Sequence, residues 1–250
     1  MTIIVGTDGT ECSRAAVTWA AREARRRGER LRIVYVADED WPDSRYDLGN
    51  EFGFGDAGRV LAGAVLAAAR DLAAEDAPGV ELETGAVAGP VVPTLVDEAV
   101  GAELLVLGHR ERARLGSVGR RVAADAPCPV VVVCGRGTPG GSVLCRVDGS
   151  PGGDGVLAAA FAAADALGCG VVVLDSRGRR RTRRRRSARQ PLDGQLARWR
   201  AKFPGVPAGT VATRSAGALV AGSRDARLVV VGAAGRRLLR QSGCPVLVAR

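Results

Sequence analysis

Histidine and lysine are almost missing from this chain: His109 and Lys202 are the sole examples. A single imidazole, with no nucleophile or carboxylate at a readable spacing, sets up no hydrolytic triad. No catalytic residue is expected. No Cys/His cluster offers zinc ligands, so no structural metal is expected either. Aromatic residues make up 4% of the chain. Its cores must therefore be Ala, Val and Leu, and such small side chains let helices lie close on a sheet. No stretch approaches the roughly 18 apolar residues of a membrane span. The chain opens on Ile3-Ile4-Val5 without a basic start and an apolar signal core. A cytoplasmic location is the expectation. The six cysteines, Cys12, Cys128, Cys134, Cys145, Cys169 and Cys244, form no C-x-x-C pair. Most lie in or beside apolar runs, where cysteine packs as a small hydrophobe.

The charge that is present is concentrated. The formal charge is +9, carried almost wholly by arginine. Arg177, Arg179 to Arg181, Arg183 to Arg186 and Arg189 fall in one short segment, and without it the chain is nearly neutral. The high isoelectric point belongs to that segment and not to a basic fold. The segment follows an apolar run, Val171 to Leu174. It reads either as a solvated insertion or as a polyanion contact through Arg179 to Arg186. No aromatic residue is interleaved, so any such binding is driven by phosphate and is salt-sensitive.

A length of 250 residues suggests two domains. In the first half, short apolar runs alternate with helical stretches. Thr2 to Val5, Leu31 to Val36, Leu104 to Leu107 and Val130 to Val133 read as strands, with a weaker one over Val80 to Thr84. Ser13 to Arg27, Ala57 to Ala74, Val91 to Val100 and Val118 to Ala124 read as helices, the first capped by Ser13 and ended by Gly28. Continuous apolar strands between helices imply a parallel sheet covered on both faces. The second half repeats the order. Asp148-Gly149-Ser150 follows a strand as Asp8-Gly9-Thr10 does. Leu228 to Gly232 echoes Leu104 to Gly108, and Cys244-Pro245-Val246 echoes Cys128-Pro129-Val130. The offset between copies falls from 140 residues at the aspartates to 124 at the glycines and 116 at the cysteines. Gly119 and Gly235 each lie nine residues before their cysteine, so the last helix is retained and the loop ahead of it is lost. The domains are placed at residues 1–134 and 141–250, with residues 135–140 as a Gly/Pro-rich linker.

These landmarks resemble the universal stress protein family. Its domains begin with a strand and an Asp-Gly-Ser-like turn and end with a glycine loop, a short helix and a Cys-Pro-Val strand. The resemblance implies an α/β fold of two tandem open-sheet domains, mostly parallel and five-stranded, of the universal-stress or adenine-nucleotide α-hydrolase-like type. It implies a regulatory or ligand-sensing role, with an adenine nucleotide such as ATP, accompanied by magnesium, bound weakly in the first domain. On that resemblance Asp8 faces the ribose or adenine, and the backbone of Val36 meets the base. Gly108, Gly116, Ser117 and Val118 belong to the phosphate loop. A glycine loop leading into a helix offers amide donors to phosphate. The family's loop pattern is G-x2-G-x9-G-[S/T]. Here Gly108 to Gly116 spans 8 residues against the family's 13, and Glu111 stands where the middle glycine belongs. In the second copy Gly232-Ala233-Ala234-Gly235 has no Gly-Ser after it, and no nucleotide is expected there. The alternative is a degenerate interaction module without nucleotide, contacting polyanions through the Arg177 to Arg189 segment. The two domains are expected to be related by a pseudo-twofold, with Val130 to Val133 and Val246 to Val248 pairing within the chain. Gly53-Phe54-Gly55-Asp56-Ala57-Gly58 matches G-x-G-x-x-G but follows no strand directly, which sets dinucleotide binding aside.

Overall fold

The computed structural model describes residues 1–37, 56–109, 118–147, 152–176, 192–213, 215 and 217–250. Gly53 to Gly55, Glu111, Gly116, Ser117, Asp148 to Ser150 and the arginine segment lie outside the described residues, while Asp56 to Gly58 of the G-x-G-x-x-G match open a helix. Two compact units are formed, Met1–Val133 and Cys134–Arg250.

The first unit has five strands: β1 (Thr2–Gly6), β2 (Arg30–Ala37), β3 (Leu82–Ala88), β4 (Leu104–Gly108) and β5 (Val130–Val133). They pair in the order β3-β2-β1-β4-β5, and every pairing is parallel. Parallel neighbours need crossovers, supplied by α1 (Glu11–Arg27), α2 (Asp56–Asp76), α3 (Val91–Glu98) and α4 (Val118–Asp125). Helices α1 and α2 pack together, as do α3 and α4. Ile3, Val5, Leu31, Ile33 and Leu105 have no exposed surface, which accounts for the unbroken apolar strands.

The second unit repeats the plan with β6 (Val143–Val147), β7 (Val171–Asp175), β8 (Ala208–Ala212), β9 (Leu228–Val231) and β10 (Val246–Val248). Its order is β8-β7-β6-β9-β10, again all parallel. The register repeats as well. Val5 pairs with Ile33 and Val106, while Cys145 pairs with Val173 and Val230 at the offsets read from sequence. Its helices are α5 (Gly153–Leu167), α6 (Leu192–Lys202) and α7 (Ala218–Gly222). Between α5 and α6 the rings of Phe161, Trp199 and Phe203 lie 6.2 to 6.5 Å apart. Among the described residues this aromatic wedge has no counterpart in the Ala/Val core of the first unit.

Three local expectations change. The third strand lies at Leu82–Ala88, later than Val80 to Thr84. Gly85 and two alanines give it little intrinsic strand preference, but seven residues pair with β2, and tertiary pairing sets its bounds. The retained last helix of the second unit, Ala233–Arg240, is a 3-10 helix. The cap of α1 is Thr10 and not Ser13: the Thr10 hydroxyl accepts from the Ser13 amide at 3.4 Å. Thr10→Ala is expected to lower stability by about 1 kcal/mol, read as a shifted denaturant midpoint.

Candidate functional site

An open parallel sheet has a natural crevice at the carboxyl ends of its strands, where the strand order reverses. In the first unit that point lies between β1 and β4. A cavity of about 210 Å³ opens there, lined by Gly6, Thr7, Asp8, Val34, Val36 and Leu107 among others. Gly108 and Val118 also line it, with Val91 and Leu95 from α3 and Cys12 and Ser13 from α1. Four of the six residues singled out from sequence, Asp8, Val36, Gly108 and Val118, therefore meet at one cavity. The other two, Gly116 and Ser117, lie outside the described residues.

Two glycines make the space. A Cβ on Gly6 would stand 2.7 Å from Leu107 Cδ2 and 3.2 Å from Leu95 Cδ2. A Cβ on Gly108 would meet the backbone of α1, 2.6 Å from the Cys12 carbonyl carbon and 2.8 Å from the Ser13 amide nitrogen. The end of β4 thus lies against the first turn of α1. The α3 wall is tied to β2 by Arg32, which donates to Glu98 at 2.9 Å and pairs with Glu83. The hydrogen bond to Glu98 is the largest of the effects that raise the Arg32 pKa, so this tie stays ionic.

The backbone of β2 supplies a polar edge. Leu31 donates to Glu81 and Ala37 accepts from Gly89, so the odd residues turn toward β3. Val34 accepts from Thr7 at 2.9 Å, so the even residues turn toward β1. Val36 is therefore turned to the β1 side, yet β1 pairs only as far as Val34. Its N–H and C=O face the crevice beyond the end of β1.

The turn after β1 is held by hydroxyls. Thr7 donates its hydroxyl to Ser13 Oγ at 3.2 Å and accepts from the Gly9 amide at 3.3 Å. Ser13 Oγ accepts from the Asp8 amide at 3.3 Å and donates to the Thr10 carbonyl at 2.9 Å. Asp8 Oδ1 accepts from both the amide and the hydroxyl of Thr10, at 3.1 and 2.6 Å. Gly9, at φ 76°, permits the tight bend. Thr7 and Ser13 are buried, while Asp8 is exposed at the mouth. The Tyr35 phenol has its pKa raised, first by burial and second by the Asp8 carboxylate, and stays protonated at neutral pH. Sequence reasoning missed Thr7, Gly6, Tyr35 and the α3 wall. The one available signal was the offset of 140, which sets Gly6 against Arg146 and Thr7 against Val147.

The second unit differs at just these places. Gly222 of α7 would drive a Cβ to 2.8 Å from Leu144 Cδ2, so Leu144 faces α7. Arg146, two residues on, faces the same side and is half-buried where Gly6 leaves space. A Cβ on Gly232 would meet only Val156 Cγ2, at 3.4 Å. Burial pushes the Cys145 thiol up to about 12 and the Cys244 thiol up to about 11, so both are inert packing groups. Among the described residues no group of three His, Cys, Asp or Glu converges as metal ligands, and no helix is long and apolar enough to cross a membrane.

A parallel sheet wound on both faces, written twice in one chain with a crevice at the switch point of the first copy, defines a tandem open-sheet α/β protein. The chain belongs to the universal stress protein family, whose model matches residues 1–133. A universal stress protein of Mycobacterium tuberculosis is 31% identical over 99% of this chain and 96% of its own length. A second from the same organism is 31% identical over 94% of this chain and 86% of its own. The crystal structure of a universal stress protein from Archaeoglobus fulgidus covers 100% of this chain and 96% of that one, with a TM-score of 0.78 at 16% identity. That likeness extends the fold across both units.

Proposed function

We propose that the first unit binds an adenine nucleotide in the β1–β4 crevice and that the protein acts as a regulatory sensor without turnover. One observation carries this reading: Asp8, the inward-facing Val36 backbone, Gly108 and Val118 line a single cavity. The Val36 N–H and C=O offer a donor and an acceptor side by side, which suits the edge of a purine. Asp8 at the mouth suits sugar hydroxyls. At about 210 Å³ the cavity falls short of the roughly 300 Å³ at which small-molecule sites usually begin. It is matched to a base and sugar, with the phosphates toward Gly108 and Val118, between which residues 110–117 run in the sequence. That segment would supply amide donors and accompany magnesium, but it is short and carries Glu111, and a carboxylate there repels phosphate. Binding is therefore weak, and most of it comes from the nucleoside. The second unit takes no nucleotide, because Arg146 stands where Gly6 opens the first crevice. Cys128, Cys134, Cys145 and Cys244 are buried and form no disulfide, which fits a reducing cytoplasm.

Titration calorimetry with adenosine, AMP and ATP tests the reading. One site per chain is expected, with adenosine and AMP within about tenfold of ATP, a difference of about 1.4 kcal/mol. Two sites would overturn the assignment of the second unit. Tight, magnesium-dependent ATP binding would show that the short loop cradles phosphate. Failure of all three ligands would leave the interaction module without nucleotide as the account. A second reading, polyanion contact, has one structural feature in its favour. Helix α6, which follows the arginine segment in the sequence, exposes Arg200 and Lys202, while Arg198 pairs with Asp154.

A further inference from the structure

The turn bearing Asp8 is held from beneath by two hydroxyls that do not themselves need to touch a ligand. Thr7 and Ser13 are 7% and 5% exposed, and each uses its single proton once. Thr7 donates to Ser13, and Ser13 donates to the Thr10 carbonyl. The remaining lone pairs take the amides of Gly9 and Asp8. Thr10, fixed in this way, directs its amide and hydroxyl onto Asp8 Oδ1. The chain of contacts runs from the end of β1 through the first turn of α1 to the carboxylate at the crevice mouth.

The second unit is a natural control. Its β6 pairs in the same register as β1, so Val147 occupies the place of Thr7. At the same offset Gly153, the first residue of α5, takes the place of Ser13. A Cβ on Gly153 would stand 3.2 Å from Val147 Cγ1, so the two positions touch there too, but as an apolar contact. The sequence keeps an aspartate, Asp148, and has lost both hydroxyls.

We propose that Thr7 and Ser13 are positioning residues that fix the Asp8 carboxylate toward the crevice. Replacing them by Val147 and Gly153 disarms the second unit, independently of its shortened loop. The inference rests on the nucleotide reading for its affinity readout, and on backbone exchange for a readout of its own.

The experiment uses the full chain with Thr7→Val, Thr7→Ser, Ser13→Ala and Asp8→Asn, and adenosine as the probe. Thr7→Val keeps the shape and removes the hydroxyl, and Thr7→Ser does the reverse. Thr7→Val and Ser13→Ala should each weaken adenosine roughly tenfold, while Thr7→Ser stays within about twofold of the parent. In an Asp8→Asn background Thr7→Val should add nothing, because it acts through that carboxylate. Equal weakening by Thr7→Val and Thr7→Ser, or a Thr7→Val effect that persists without Asp8, overturns the proposal. The second readout is hydrogen exchange at the Thr10 amide, which bonds to Asp8 and not to Thr7. It should speed up about tenfold or more in Thr7→Val and Ser13→Ala and be restored in Thr7→Ser. Unchanged exchange in Thr7→Val overturns the positioning role. If the parent binds no adenosine, the nucleotide reading falls, and exchange alone decides the positioning role.

Discussion

Gly108→Ala is expected to cost about 3 kcal/mol of stability and to abolish adenosine binding, whereas Gly232→Ala stays within about 0.5 kcal/mol of the parent. The two glycines hold equivalent positions, at the end of β4 and just past the end of β9. The new methyl at 108 would fall 2.6 and 2.8 Å from backbone atoms of Cys12 and Ser13. Backbone has no rotamer to give way, so β4 or the first turn of α1 must move. That turn carries Thr10 and Ser13, which hold Asp8, so stability and the crevice are lost together. At 232 the φ and ψ of −80° and 177° suit alanine, and the nearest atom is a valine methyl at 3.4 Å. Denaturant unfolding of the full chain, with adenosine titration beside it, checks the pair. Similar midpoints for both variants would show that the close approach of β4 to α1 does not constrain the first unit.

The contrast between these glycines indicates what the sequence could convey. The central strands were legible because a buried parallel sheet forces uninterrupted apolar runs, whereas the largely exposed edge strand β8 carries none and was not read; the repeat was legible because glycine and Cys-Pro landmarks recur in order. The register repeats with the same offsets, Val5 with Val106 and Cys145 with Val230. Asp8 and Gly108 could be found because a turn aspartate and a strand-end glycine are local features. What makes Gly108 necessary is not local: the atoms it avoids are almost a hundred residues away in α1. Ser13 was legible as a helix-start residue, but its place at the centre of the hydroxyl set depends on Thr7 lying behind it. Thr10 won the cap because its hydroxyl reaches both the Ser13 amide and Asp8. The apolar wall from Val91 and Leu95 was hidden for a different reason. Nothing in an amphipathic helix says which strand end it will cover.

The arginine segment should give the largest change in binding. Nine arginines fall within residues 177–189, and α6, which follows them in the sequence, exposes Arg200 and Lys202. Arg198 and Lys202 also lie 5.3 Å from the centre of the Trp199 ring. If two-thirds of the nine arginines neutralise phosphates, the six contacts release about five counterions from a duplex. Affinity for a mixed-sequence DNA duplex should then fall about 10³-fold between roughly 50 and 200 mM salt. Heparin should show a comparably steep loss, since the segment presents charge without interleaved aromatic groups for base stacking. Deleting residues 177–189 should remove binding to both. The deletion should leave circular dichroism and adenosine affinity unchanged, because Asp8, Val36 and Gly108 belong to the first unit. Retained DNA affinity after the deletion would move the contact to α6, with Arg200→Ala and Lys202→Ala as the next variants. Affinity that ignores salt would reject a polyanion contact, because releasing counterions from phosphate is the only driving force this segment offers.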